Sequence, residues 1–309
     1  MAELPTCGAS VRLCPSTLRR EALLHLAAVH EPALQSALHG ALQQASQAAW
    51  DALWIAEHQG RITSALWVQP LDHATAQLWL PLKQSPASLA LLQTARTFVA
   101  ENCMTLCHVI LPPSHYAWEP VLLELGMTRL AALRHMAVKL GGRVEACQPA
   151  ASIQLEPFEA LAASTQHALL DVISQGSLDS PGLYEALGAE ALLAGFYQRA
   201  SAAPRHWYSV NVGRERVGAL LLAPGAEWEL LLMGVVPDWR GKGVGRAVLS
   251  AALRLACEAG APELLLTVDA DNTPARHLYE QAGFSGYKEQ RLLAWQSPGG
   301  EQRCSRKWC

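Results

Sequence analysis

Two stretches of this chain prescribe the same succession of elements. Over 150–296 the pattern predicts a short strand at Ile153-Gln154-Leu155, amphipathic helices over 159–173 and 184–200, and a hairpin of 207–212 and 216–222 turning at Gly213. An apolar strand over 228–236 follows, then a helix over 244–258 ended by Gly260 and Pro262, a strand over 264–268, a helix over 273–282 and a last strand over 287–295. Over 53–139 the order returns: a hairpin of 53–57 and 62–68 about Gly60, a strand over 76–80, a helix over 88–100 and a strand over 107–111. A short helix over 118–125 before Gly126 and a strand over 130–139 close that half. Superposing Gly126 on Gly283 sets an offset of 157 residues and lays 123–127 over 280–284. A shared order of elements at one offset reads as an internal duplication. The break at 141–149, with Gly141, Gly142 and Pro149 and no hydrophobic periodicity, reads as a linker. The expected domains are therefore 1–143 and 150–309.

Composition supports two folded domains and removes several functions. A length of 309 residues suits two domains, and 50% hydrophobic residues against 17% charged ones suits packed cores. A net charge of −3 offers no basic surface for nucleic acid, and no charge run suggests a membrane face. Residues 1–10 are not expected to be a secretory signal, and no apolar stretch approaches the ~18 residues of a bilayer span. Eight cysteines are too sparse for a disulfide scaffold. Cys103, Cys107 and His108, like Cys304 and Cys309, lack a matching second half at zinc-like spacing, so no metal is expected. The expectation is a cytoplasmic protein with reduced thiols.

The sharpest chemistry lies in Val235-Val236-Pro237-Asp238-Trp239-Arg240-Gly241-Lys242-Gly243-Val244-Gly245-Arg246. An apolar strand runs into three glycines and opens into a long helix. Glycines let backbone N–H groups approach an anion, and the helix N-terminus adds its positive dipole end. Arg240, Lys242 and Arg246 add charge. The loop is built as a pyrophosphate cradle. It is not a Walker A loop, because no Lys-Ser/Thr follows, and its glycine spacing is not that of a dinucleotide fingerprint.

This segment resembles the GNAT superfamily of acyl-CoA-dependent N-acyltransferases. Arg240-Gly241-Lys242-Gly243-Val244-Gly245 matches that family's Arg/Gln-x-x-Gly-x-Gly/Ala at each fixed position. Asn272 through Leu278-Tyr279 to Gly283-Phe284 matches its second motif at the right spacing. The resemblance is strong over 150–296 and degenerate over 45–140. It implies an α/β fold of two tandem domains, each a mixed, mostly antiparallel central sheet flanked by helices. It implies acetyl-CoA as co-substrate and transfer of the acetyl group to an amine of a small molecule or peptide. Another acyl group, or a non-catalytic acyl-CoA-binding regulator, are the alternatives.

The resemblance also implies roles. The pyrophosphate would rest on Arg240, Gly241, Lys242, Gly243, Val244, Gly245 and Arg246. The pantetheine arm would run beside Met233, Gly234 and Val235, where the strand is splayed from its neighbour, and Asn272 would bind that arm. Tyr279 stands at the position of the general acid. Several relatives carry a glutamate base five residues before the motif asparagine; here that residue is Thr267. Glu229 is the expected base instead, on the face that strict alternation shares with Leu231 and Met233. Asp269 and Asp271 are next in order.

The first half departs from the pattern. Pro81-Leu82-Lys83-Gln84-Ser85-Pro86 replaces the glycine loop, and Leu122 stands where Tyr279 does. That half is expected to be catalytically silent. The chain is expected to be a monomer of pseudo-symmetric halves, binding a coenzyme A thioester and an amine acceptor. The acceptor pocket is expected at 174–182, where Asp179 is read either as an amine anchor or as a turn residue.

Overall fold

The computed structural model describes residues 10–26, 32–44, 47–141, 152–199 and 205–297. The expected linker beyond Gly141 and the cysteines of the C-terminal tail lie outside them. The chain divides into two units, one of residues 1–129 with 292–309, the other of residues 130–291.

The first unit contains β1 (Ser10–Leu13), α1 (Arg19–Leu23), α2 (Pro32–Gln44), β2 (Leu53–His58), β3 (Arg61–Leu71), β4 (Thr75–Trp79), α3 (Pro86–Glu101), β5 (Leu106–Leu111) and α4 (Trp118–Glu124). β1 through β4 pair antiparallel in sequence order, and β4 pairs parallel with β5 over Thr75–Gln77. The α3 face that carries Leu91, Leu92, Ala95 and Val99 packs on the sheet at three- and four-residue spacing. The elements before residue 53 complete the unit, with β1 pairing along β2.

The second unit takes up β6 (Thr128–Lys139) from Leu130 onward. It continues with β7 (Gln154–Pro157), α5 (Ala163–Ser174), α6 (Pro181–Arg199), β8 (Trp207–Val212), β9 (Glu215–Ala223) and β10 (Trp228–Val235). α7 (Val244–Glu258), β11 (Glu263–Asp269), α8 (Thr273–Gln281) and β12 (Ser285–Gln296), as far as Arg291, complete it. Its strands β7 through β10 also pair antiparallel in sequence order, and β10 pairs parallel with β11 over Trp228–Leu230. The expected helix over 184–200 is kinked at Gly188, whose φ of 70° no right-handed helix allows. β9 is buried on both faces from Val217 to Leu222, as a central strand covered on both sides must be.

The same succession of pairings in both units matches the duplication. The offset of 157 residues also holds at the level of single hydrogen bonds. Met127 N–H donates to Leu122 O and Gly126 N–H to Leu123 O, each at 2.9 Å. Phe284 N–H donates to Tyr279 O at 3.0 Å and Gly283 N–H to Glu280 O at 3.1 Å. Both helices therefore end in the same glycine motif, with φ of 87° at Gly126 and 92° at Gly283.

The division falls elsewhere than the expected boundary of 143/150. β6, the last strand of the first half, pairs along β11 from Leu133↔Asp269 to Lys139↔Glu263 inside the second unit. Residues 292–296 belong to the first unit, where Leu293 and Trp295 enter the core and Trp295 Nε1 donates to Leu125 O at 3.0 Å. Each unit thus carries a closing strand that the sequence order would assign to the other. A sheet edge accepts any strand of matching register and face, whatever its place in the chain.

Candidate functional site

β10 and β11 pair at only three positions, ending at Leu230↔Leu266. Beyond that point β10 continues along β9 to Val235↔Gly218, while β11 continues along β6 to Asp269↔Leu133. The inner edges of the two strands separate, which leaves the β11-facing edge of β10 from Leu232 to Val235 without a strand partner. The expected splay beside Met233, Gly234 and Val235 is present.

A register shift between Leu230 and Leu232 corrects one expectation. Trp228 and Leu230 pack in the α7-side core, and so does Met233, whereas Leu231 packs against the cluster that contains Phe158, Leu169 and Ile173 on the other side. The bulge inserts one residue and flips the parity of the residues after it, so Glu229 and Met233 do not share a face. Glu229, paired with Leu265 and Ala223, sits opposite Trp228 and Leu230 and in the fully paired part of β10.

Gly234 and Gly218 allow close approach here. A Cβ at Gly234 would lie 2.2 Å from Ile173 Cγ2, and one at Gly218 would lie 2.3 Å from Gly234 O. The end of α5 is therefore pressed against the strand at the splay.

The loop after β10 turns at Gly241 and Gly243, with φ of 71° and 81°, and Gly243 is the residue before α7. No side chain caps α7, and its first turn carries no acidic residue. Its leading N–H groups have no intrahelical acceptors. Val244 is buried, Gly245 lies beneath Leu278, Lys242 Nζ lies 5.1 Å from the Trp239 ring, and Arg246 Nη2 donates to Gln281 Oε1 at 3.2 Å. The matching helix of the first unit differs. Ser85 caps α3 by accepting the Ser88 N–H at 3.1 Å, Pro86 follows it, and Leu122 is fully buried.

Arg240 is used otherwise than as free charge. Its Nε donates to Val235 O at 3.0 Å, Nη1 to Gln175 O at 2.8 Å and Gly176 O at 3.1 Å, and Nη2 to Ile173 O at 2.7 Å. The guanidinium closes the C-terminal carbonyls of α5 onto the end of β10. Asn272 is structural as well, since its Oδ1 accepts the Ala275 N–H at 3.3 Å and caps α8.

Tyr279 is 7% exposed, lies 5.8 Å from Phe284 and belongs to the α7-side core. Burial first, and then the charge of Asp179, hold its hydroxyl well above the ordinary phenol range, so it stays protonated. Asp179 itself comes from the loop between α5 and α6, and its Oδ1 accepts the Asp269 N–H at 3.0 Å. Burial raises the Asp179 carboxyl above its ordinary range; the Asp269 N–H opposes this and the Asp269 charge adds to it. Asp269 Oδ1 in turn accepts the Asp271 N–H at 3.1 Å. Asp179 and Asp269 stand 90 residues apart, and no local pattern joins them.

Thr267 is the first residue of β11 beyond the part paired with β10. Its neighbours Leu266 and Val268 enter the α7-side core, which turns Thr267 to the face of Leu265 and Asp269. There Thr267 Oγ1 lies 3.0 Å from His135 Nδ1, and His135 Nε2 lies 2.7 Å from Gln290 Oε1. The sequence carried no signal for His135, which stands in an ordinary strand of the first half. Among the described residues no group of three His, Cys, Asp or Glu side chains is placed to hold a metal, and no helix is long and apolar enough to cross a membrane.

The model of the acetyltransferase (GNAT) family matches residues 174–284. A mycothiol acetyltransferase from Clavibacter sepedonicus is 35% identical over 120 residues, which are 39% of this chain and 32% of that protein. The chain thus spans a third or less of the length of the curated relatives at the head of the comparison. Among solved structures, a GCN5-related N-acetyltransferase from Sphaerobacter thermophilus covers 95% of this chain and 98% of its own at a TM-score of 0.61 and 15% identity. A tandem GNAT protein from the clavulanic acid biosynthesis pathway covers 94% of this chain and 100% of its own at a TM-score of 0.51 and 16% identity. At such identities these structures speak for the fold. Residues 174–284 thus match the acetyltransferase (GNAT) family, in a chain whose fold is similar to that of a tandem GNAT protein.

Proposed function

We propose that this protein is an acetyl-CoA-dependent N-acetyltransferase that acetylates the amine of a small molecule, with one coenzyme A site per chain. The observation that carries the reading is the uncapped N-terminus of α7, entered through two left-handed glycines from the strand that parts from its neighbour. Backbone N–H groups at 241–246 suit the pyrophosphate, and Lys242 and Arg246 add charge. The free edge of β10 at Met233, Gly234 and Val235 suits the amide-bearing pantetheine arm as an added strand, and an N–H on that edge suits the thioester oxygen. Asn272, capping α8 through Oδ1, keeps its amide N–H for the arm. Arg240 supports the cradle by holding α5 against β10.

In the reaction, the amine nitrogen bonds to the thioester carbon, the C–S bond breaks, the departing thiolate takes the Tyr279 hydroxyl proton, and the proton shed by the newly acylated nitrogen returns Tyr279 to its neutral form. Burial keeps the Tyr279 phenol protonated, the state in which it can give a proton. The ammonium must first lose a proton, and Glu229 is the carboxylate that the sequence brought forward. The capped α3 and the buried Leu122 support a silent first half. The name of the relatives supports an acceptor related to mycothiol.

The test is release of free thiol from acetyl-CoA against a panel of amines that includes mycothiol lacking its acetyl group. Thiol release that depends on one amine, with a matching acetylated product, is the expected result. Tight coenzyme A binding with no turnover on any amine would favour a binding module.

A further inference from the structure

The proton that leaves the acceptor ammonium needs a destination. Glu229 sits where β10 is still paired on both sides, before the strands part. Thr267 stands at the first open position of β11, with its side chain on the same face of the sheet. A threonine hydroxyl cannot hold an extra proton near neutral pH, but it can pass one on if a base stands behind it. His135 stands there. With Gln290 Oε1 accepting from Nε2–H at 2.7 Å, the ring keeps its proton on Nε2, and Nδ1 accepts the Thr267 hydroxyl proton at 3.0 Å. The pairing is enforced by strand register, because Thr267 and His135 are direct cross-strand partners.

Resting on the acetyltransferase reading, we propose that Thr267, His135 and Gln290 form a proton relay that deprotonates the acceptor amine, with the base supplied by a strand from the first half of the chain. The ammonium gives a proton to Thr267 Oγ1 while the threonine proton moves to His135 Nδ1. The products of this step are a neutral amine and an imidazolium. Gln290 holds the ring in the receptive tautomer and continues to accept from Nε2–H in the charged state. The imidazolium returns its proton to solvent after transfer, His135 being half-buried and not sealed in the core. His135 acts through Thr267 and is a positioning residue in that sense; Thr267 is the group at the acceptor. The relay gives the silent half a part in the active one, since β6 belongs to the second unit.

On the face that Thr267 and His135 share, strand register places Glu263 and Asp269 of β11, Lys139 of β6 and Glu229 of β10; on β12 the Tyr287 ring lies 6.1 Å from the imidazole, and Lys288, Glu289 and Arg291 flank Gln290. The relay expects an acid limb in the rate profile that His135→Gln moves.

The test uses the full chain and an amine shown to support thiol release by the wild type. Absence of any such amine would sink the acetyltransferase reading, a failure distinct from failure of the relay. Circular dichroism and acetyl-CoA titration establish folding and cofactor affinity for His135→Gln, Thr267→Val, Thr267→Ser and Glu229→Gln. His135→Gln and Thr267→Val are each expected to lose about 10²-fold in kcat/KM near neutral pH, the lower end of the span for acid–base catalysis. The loss should shrink as pH rises and free amine becomes abundant, the acid limb should move, and acetyl-CoA affinity should hold. The double variant should lose no more than either single one, and Thr267→Ser should stay within a few-fold of wild type. If His135→Gln does not fold, the valine and serine variants at Thr267 carry the test. A loss that is the same at every pH, an unmoved acid limb in His135→Gln, serine as poor as valine at 267, or a loss confined to Glu229→Gln would each overturn the relay.

Discussion

Arg240 Nη2 donates to the carbonyl oxygen of Ile173 at 2.7 Å, across 67 residues of sequence. The same guanidinium reaches Gln175, Gly176 and Val235, so it fastens the end of α5 to the end of β10. Arg240→Ala is expected to lower the unfolding free energy by about 1–3 kcal/mol, since several helix-terminal carbonyls lose a charge-assisted donor. Arg240→Lys should recover little of this, because an ammonium cannot span the same four oxygens. Urea denaturation of the three proteins decides it. If lysine restores full stability, simple charge is what matters at this position.

Gly243 combines a left-handed φ of 81° with its place directly before α7. Gly243→Asn keeps the tolerance for that conformation and remains neutral. Gly243→Asp has the same shape but sets a carboxylate at the proposed phosphate cradle. Coenzyme A affinity, read by calorimetry, should fall modestly in the first and become undetectable in the second. Equal affinities in the two folded variants would remove the cradle assignment.

Tyr279 is held neutral by burial, so its loss can be separated from a charge effect. Tyr279→Phe keeps the ring against Phe284. Its stability should stay within about 1 kcal/mol of wild type, whereas the chemical step should slow by about 10²–10⁴. Where chemistry limits turnover, kcat and kcat/KM fall together and acetyl-CoA affinity holds. Weaker affinity at unchanged kcat would make Tyr279 a binding residue.

Asp179 has a carboxyl raised above its ordinary value of 3.8, by burial in the first place. The folded protein therefore holds that proton more tightly than the unfolded chain does. Its contribution to stability is full below the unfolded value and is lost as pH rises through the folded value. Asp179→Asn keeps an oxygen to accept the Asp269 N–H and carries no charge. The variant should melt above wild type at pH 7–8, with the difference shrinking toward pH 4. A melting temperature difference that grows on acidification would refute the sign of the shift.

Much of this molecule is written in short-range pattern. The strand before Val236, the helix from Val244 and the helix stops at Gly126 and Gly283 follow from periodicity and from backbone angles that favour glycine. Those preferences act within a turn or two of chain, so residue order alone specified them, along with the glycine-rich strand-to-helix turn of 240–246 and the prolines that replace it at 81–86. The features that only the tertiary structure decided depend on register between distant strands. A single bulge after Leu230 separated Glu229 from Met233, undoing an inference from strict alternation. Pairing along β11 set His135 against Thr267 across 132 residues, and the closing strands fell to units that chain order would not choose. A hydrogen bond of that span exists only after two segments have been placed in one sheet at one register, and neither segment carries a local preference for it.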